Sequence, residues 1–158
     1  MLRYLHGDDY SAERAWQLVD WLASRGASEF TMSFLMRDGL PAPALDRVSA
    51  ALQPHVLPRQ SRDRMEAYGK DELRRPTDLW ALNSDTLRVL HECFPNGPLA
   101  EPTYAMDGWF ENLELYRGGH TLFGMVNHER EGMLNLSIDE AADLAAEGFP
   151  TRDSASWI

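Results

Sequence analysis

Hydrophobic positions follow helical spacing in some stretches of this chain and alternate in others. From Ser11 to Arg25, Ala15, Leu18, Val19 and Leu22 recur three or four residues apart, which predicts an amphipathic helix. Asp8, Asp9 and Ser11 offer N-caps, Arg25-Gly26 a stop, and Trp16 and Trp21 widen the apolar face. Glu29 to Met36 then alternates. Phe30, Met32, Phe34 and Met36 point one way and Thr31, Ser33 and Leu35 the other, the signature of a strand that ends at the turn Arg37-Asp38-Gly39. Pro43 to Gln53 is a second short helix with Leu45, Val48, Ala51 and Leu52 inward and Pro43 in its first turn.

Between Pro54 and Pro76 the pattern fades, and the stretch reads as a long loop carrying one helical or strand piece. Thr77 to Phe94 reads as mostly helical, with Ser84 or Asp85 as cap and Leu87, Leu90 and Phe94 on one face. Pro95-Asn96-Gly97-Pro98 ends it. Trp109–Arg117 and His120–His128 flank Gly118-Gly119, a two-residue turn that predicts a β-hairpin. A third strand, Gly132–Leu136, follows the turn Glu129–Glu131. Ser137 with Glu140 has the form of a capping box, opening a helix that runs to about Glu147 and stops at Gly148. The expectation is one α+β domain over residues 1–158. Its antiparallel sheet would combine a C-terminal three-stranded meander with an N-terminal strand, packed with several α-helices.

A two-residue turn fixes the register. Arg117 should face His120, Leu115 Leu122, Leu113 Gly124, Glu111 Val126, and Trp109 His128. One face then carries Trp109, Leu113, Leu115, Leu122 and Val126, joined by Leu134 and Leu136. Glu111 and His128 fall toward one end of that face, on a diagonal within reach of each other. The other face mixes polar and aromatic groups: Phe110, Asn112, Glu114, Tyr116, Thr121, Phe123, Met125 and Asn127.

Charge adds a direction. Residues 1–76 hold 11 Lys/Arg against 11 Asp/Glu, whereas residues 77–158 hold 4 against 14, so the whole net charge of -10 lies in the second half. Such a surface repels a phosphate backbone and suits a basic protein partner, so nucleic acid is not expected as a ligand. No apolar run reaches the ~20 residues of a membrane-spanning helix. The start, MLRYLHGDDYSAER, lacks a signal peptide's apolar stretch. Those two features and the lone Cys93 set the expectation of a cytoplasmic protein without disulfides.

Catalytic motifs are sparse. Gly118-Gly119 is a turn, not a phosphate loop, and neither a G-x-S-x-G elbow nor an H-E-x-x-H helix occurs. His91-Glu92-Cys93 points in diverging directions on a helix, so no metal site is expected there. Glu131 could curl back toward His128, but a solvated acidic turn is the simpler reading of His128–Glu131. Cys93 lacks a neighbouring cation and reads as a buried, inert thiol.

Two functions follow as expectations. The first is a small acidic module, of the immunity or antitoxin kind found in bacteria, that covers a basic protein. Its contacts would be Asp107, Glu111, Glu114, Glu129 and Glu131, with Phe110, Tyr116 and Phe123 as anchors. The second is a hydrolase or lyase of small substrates using His128 with Glu111 or Glu129, with or without a metal; no other cofactor is expected. A structural ion pair at the core's rim accounts for Glu111 and His128 equally well.

Overall fold

The computed structural model describes residues 1–35, 41–58, 78–106 and 108–154. The expected turn at residues 37–39, most of the expected 54–76 loop, Asp107 and Trp157 lie outside them. In chain order the elements are β1 (Leu2–His6), α1 (Ala12–Ser24), β2 (Glu29–Leu35), α2 (Pro43–Leu52), β3 (Val56–Leu57), β4 (Leu79–Ala81), α3 (Ser84–Cys93), β5 (Trp109–Arg117), β6 (His120–Val126), β7 (Glu131–Asn135) and α4 (Ile138–Ala146). The fold is α+β; among the described residues one antiparallel sheet holds seven strands in the order β1-β7-β6-β5-β2-β4-β3. The meander β5-β6-β7 and strand β2 are as expected, and β1, β3 and β4 extend the sheet at its two ends.

Local chemistry explains most element ends. Ser11 caps α1 by accepting from the Arg14 amide. Ser137 and Glu140 form the reciprocal capping box that opens α4. Gly118 and Gly119 both adopt positive φ, 57° and 81°, as a twisted two-residue hairpin turn demands.

Three readings need correction. Residues Leu79–Ala81 are strand, not helix, and pair with both β2 and β3. Asn83 caps α3 instead of Ser84 or Asp85, accepting from the Asp85 and Thr86 amides while the Thr86 hydroxyl accepts from the Asn83 amide. The hairpin register holds only next to its turn. Arg117 faces His120, but a bulge then slides β6 by one residue, so that Leu115 faces Phe123 and Glu114 faces Gly124.

Strands β5 and β6 are buried on both faces. Phe110, Leu113, Leu115, Phe123, Met125, Leu134 and Leu136 share one hydrophobic cluster with residues of all four helices, among them Leu18, Leu22, Val48, Leu52, Leu90 and Leu144. Phe110, Phe123 and Met125, expected on the mixed face, are therefore core. Ala51, expected inward on α2, is exposed. Among the described residues no helix is long and apolar enough to cross a membrane.

Candidate functional site

The start of β5 carries the most unusual chemistry. Trp109 and Glu111 are two residues apart on one strand, so their side chains emerge on the same face. Glu111 is only 4% exposed. Its Oε2 accepts from the Trp109 indole Nε1 at 3.4 Å and its Oε1 from Asn112 Nδ2 at 3.2 Å. His128, in the short 3-10 turn after β6, places Nδ1 3.7 Å from Oε2 with its side chain 48% exposed.

Asn112 is the hinge of this arrangement. It is a non-glycine residue at φ 57°, a left-handed conformation that re-aims the strand between Glu111 and Leu113. A reciprocal pair holds it there: the Asn112 amide donates to Asn127 Oδ1 at 2.6 Å, and the Asn127 amide donates to Asn112 Oδ1 at 3.3 Å. Asn127, wholly buried, also donates to the Pro98 and Ala100 carbonyls at 2.9 and 2.8 Å. One amide side chain thus ties the segment leading from α3 into β5 to the sheet.

That segment delivers an aromatic ring. Tyr104 lies edge-on to Trp109, with ring centroids 5.0 Å apart and planes at 75°. Tyr104 is 53% exposed and Met106, at the tip of a turn closed by the Gly108 amide and the Ala105 carbonyl, 77%. Partial desolvation, the charges of Glu101 and Glu111, and a hydrogen bond to Glu101 push the Tyr104 phenol upward. Leu35, also exposed, pairs with Trp109 across β2 and β5. The result is an aromatic pair, Tyr104 and Trp109, with the Glu101 and Glu111 carboxylates beside it.

The other candidates lie apart from it. Glu129 stays beside His128, with Oε1 4.0 Å from Nε2. Glu114 is buried in a hydrogen-bonded chain: Tyr116 Oη donates to its Oε2 at 2.6 Å, and Thr31 Oγ1 lies 3.1 Å from Tyr116 Oη. Glu131 is buried near His6, with 3.6 Å between Oε1 and Nε2. Phe110, Tyr116 and Phe123 are all buried, so none presents its ring to a partner while the fold is intact. Periodicity did not reveal Tyr104, Met106 or Glu101. The only signal was two hydrophobic residues in a Pro/Gly-bounded stretch that packing did not require.

No metal centre forms among the described residues, where no group of three or more His, Cys, Asp and Glu side chains could hold an ion. Cys93 is buried, and burial, then the Glu92 charge, push its thiol up to about 12. His91 stacks on Trp16 at 3.7 Å instead of turning toward Cys93. No protein-family model, no curated protein and no solved structure matches the chain.

Proposed function

We propose that this chain is an acidic protein-binding module that covers a basic partner, in the manner of immunity or antitoxin proteins acting in the cytoplasm. One observation carries the reading. The exposed Tyr104 meets Trp109 edge-on at the start of β5, and Met106 is exposed two residues further along, in the half of the chain that holds 14 acidic residues against 4 basic ones. Exposed aromatic and methionine side chains contribute the contact area of an interface, and the surrounding carboxylates steer and select a cationic partner. Of the acidic contacts expected from sequence, Glu111 and Glu129 keep that role; as anchors, Tyr104, Trp109 and Met106 take the place of Phe110, Tyr116 and Phe123.

The test is capture of partners from the native host by the full chain, at low and high salt, beside the double variant Tyr104→Ser, Met106→Ser. The expected result is a basic protein held by the wild type, released as salt rises and lost with the double variant. A partner insensitive to both salt and substitution overturns the proposal, as does the absence of any basic partner.

A second reading, a hydrolase or lyase of small substrates, is favoured by the 3.7 Å approach of His128 to the buried Glu111 carboxylate. A buried carboxylate can orient an imidazole as general base. Ester or phosphoester turnover that His128→Ala abolishes would establish it; turnover unchanged by that substitution would remove it.

A further inference from the structure

We propose that Tyr104, Trp109 and Glu111 form a receptor for a single arginine side chain, one presented by the basic partner on whose existence this inference rests. The argument begins with the Glu111 carboxylate. An ionised carboxylate offers about four lone-pair sites, and a buried one depends on filling them. Glu111 accepts two hydrogen bonds, at 3.2 and 3.4 Å, both long for N–H donors. The His128 ring, at 3.7 Å, lies beyond hydrogen-bond distance. The carboxylate is thus taken out of water yet has acceptor capacity left over.

The neighbouring rings supply the second half of the site. Tyr104 and Trp109 meet edge to face, so a group entering beside them can stack on one ring and touch the edge of the other. Cations favour the faces of Trp and Tyr. A guanidinium suits the combination better than an ammonium does. It is flat enough to stack on an indole, it sheds water more easily, and its fork reaches both oxygens of a carboxylate. His128 is half-exposed and forms no hydrogen bond to Glu111, so it yields its place at little cost. Glu101, next to Tyr104, adds attraction without demanding geometry.

The test uses three short peptides identical except for a central arginine, lysine or citrulline, titrated into the full chain. The readout is the indole N–H resonance of Trp109, assigned with Trp109→Phe. The arginine peptide should shift that resonance to saturation, and the lysine peptide should bind at least about threefold more weakly. The uncharged citrulline peptide should leave it unmoved. Glu111→Gln should weaken arginine binding about tenfold, the value of one charged hydrogen-bond partner. Tyr104→Ala, at an exposed position that leaves folding intact, should weaken it severalfold, and Tyr104→Phe should restore it. An unmoved resonance, equal response to citrulline, or binding indifferent to Glu111→Gln and Tyr104→Ala overturns the receptor. A captured partner whose retention ignores Glu111→Gln and Trp109→Ala would leave the binding module standing and remove the receptor alone. Arginine-peptide binding without any captured partner would do the reverse.

Discussion

Arg117 holds the Glu140 carboxylate with both terminal nitrogens, Nη1 to Oε1 at 2.5 Å and Nη2 to Oε2 at 3.2 Å. The same Glu140 closes the capping box of α4 by accepting from the Ser137 amide, and the same Arg117 donates to the Arg25 carbonyl after α1. Two residues therefore join the hairpin to the ends of two helices. The Arg117 hydrogen bond, then that from Ser137, hold the Glu140 carboxyl down at about 2, against 4.5 for the free side chain. A depressed folded-state value means the contribution is fully present above the unfolded value and is lost as pH falls toward the folded one. Glu140→Gln should thus lower Tm at neutral pH, with the gap to wild type closing between about pH 4.5 and pH 2. Thermal unfolding across that range checks it; a gap independent of pH would refute the linkage.

Asn127 is the next most exposed point of failure, although its side chain is wholly buried. Asn127→Ala removes the acceptor of the Asn112 amide and the donor shared by the Pro98 and Ala100 carbonyls. Each buried polar group left unpaired costs about 1–3 kcal/mol, so the variant should lose at least about 2 kcal/mol. It should also release the segment that carries Tyr104. Urea unfolding measures the first effect, and Trp109 indole exchange with solvent the second. A loss under about 0.5 kcal/mol would mean that water replaces the amide.

What the sequence disclosed and what it hid divide along physical lines. Helices α1 and α4 announce themselves because 3.6-residue spacing and side-chain caps are written in adjacent residues. The Gly118-Gly119 turn is visible for the same reason. A bulge is not: the extra residue in β6 is a packing decision, and nothing in the run from Thr121 to Phe123 marks it. Because β5 is buried on both faces, alternation could not correct the register. Strands β3 and β4, of two and three residues, are too short to carry a period, so Leu79–Ala81 merged with the helix beyond it. Glu111 and His128 still approach each other, but by another route: β6 ends at Val126, and the His128 ring reaches Glu111 from the 3-10 turn that follows it. The aromatic half of the site remained hidden because Tyr104 sits in irregular chain, where no periodicity says which side chains face solvent.

Gly108 marks where that irregular chain must pass close to β2. A Cβ there would lie 2.5 Å from the Leu35 carbonyl oxygen and 2.5 Å from the Phe34 ring, at a φ of 117°. Neither the backbone oxygen nor the strained φ can be relieved cheaply. Gly108→Ala should therefore cost upward of about 1 kcal/mol and displace the Tyr104–Met106 turn. Chemical denaturation gives the energy, and altered Trp109 resonances the displacement. Unchanged stability would show that the turn re-forms in another conformation.

The contrast between Phe123 and Tyr104 separates folding from binding. Phe123, which strand alternation assigns to an interaction face, is fully buried in the core, whereas Tyr104, in irregular chain, is more than half exposed. Phe123→Ala should cost about 3–5 kcal/mol through the cavity it leaves. Any loss of partner binding would then track the unfolded fraction and recover when the temperature is lowered. Tyr104→Ala removes an exposed ring whose main neighbour is Trp109, so stability should change by no more than about 0.5 kcal/mol. Its effect on partner binding should nonetheless exceed tenfold, as for an aromatic anchor worth about 2 kcal/mol. The two variants, compared by thermal unfolding and by affinity at a temperature where both are folded, should reverse their order between the assays. If both assays rank them alike, the Tyr104 patch is not the binding surface, because a surface ring that matters only to folding would have to be packed, and this one is not.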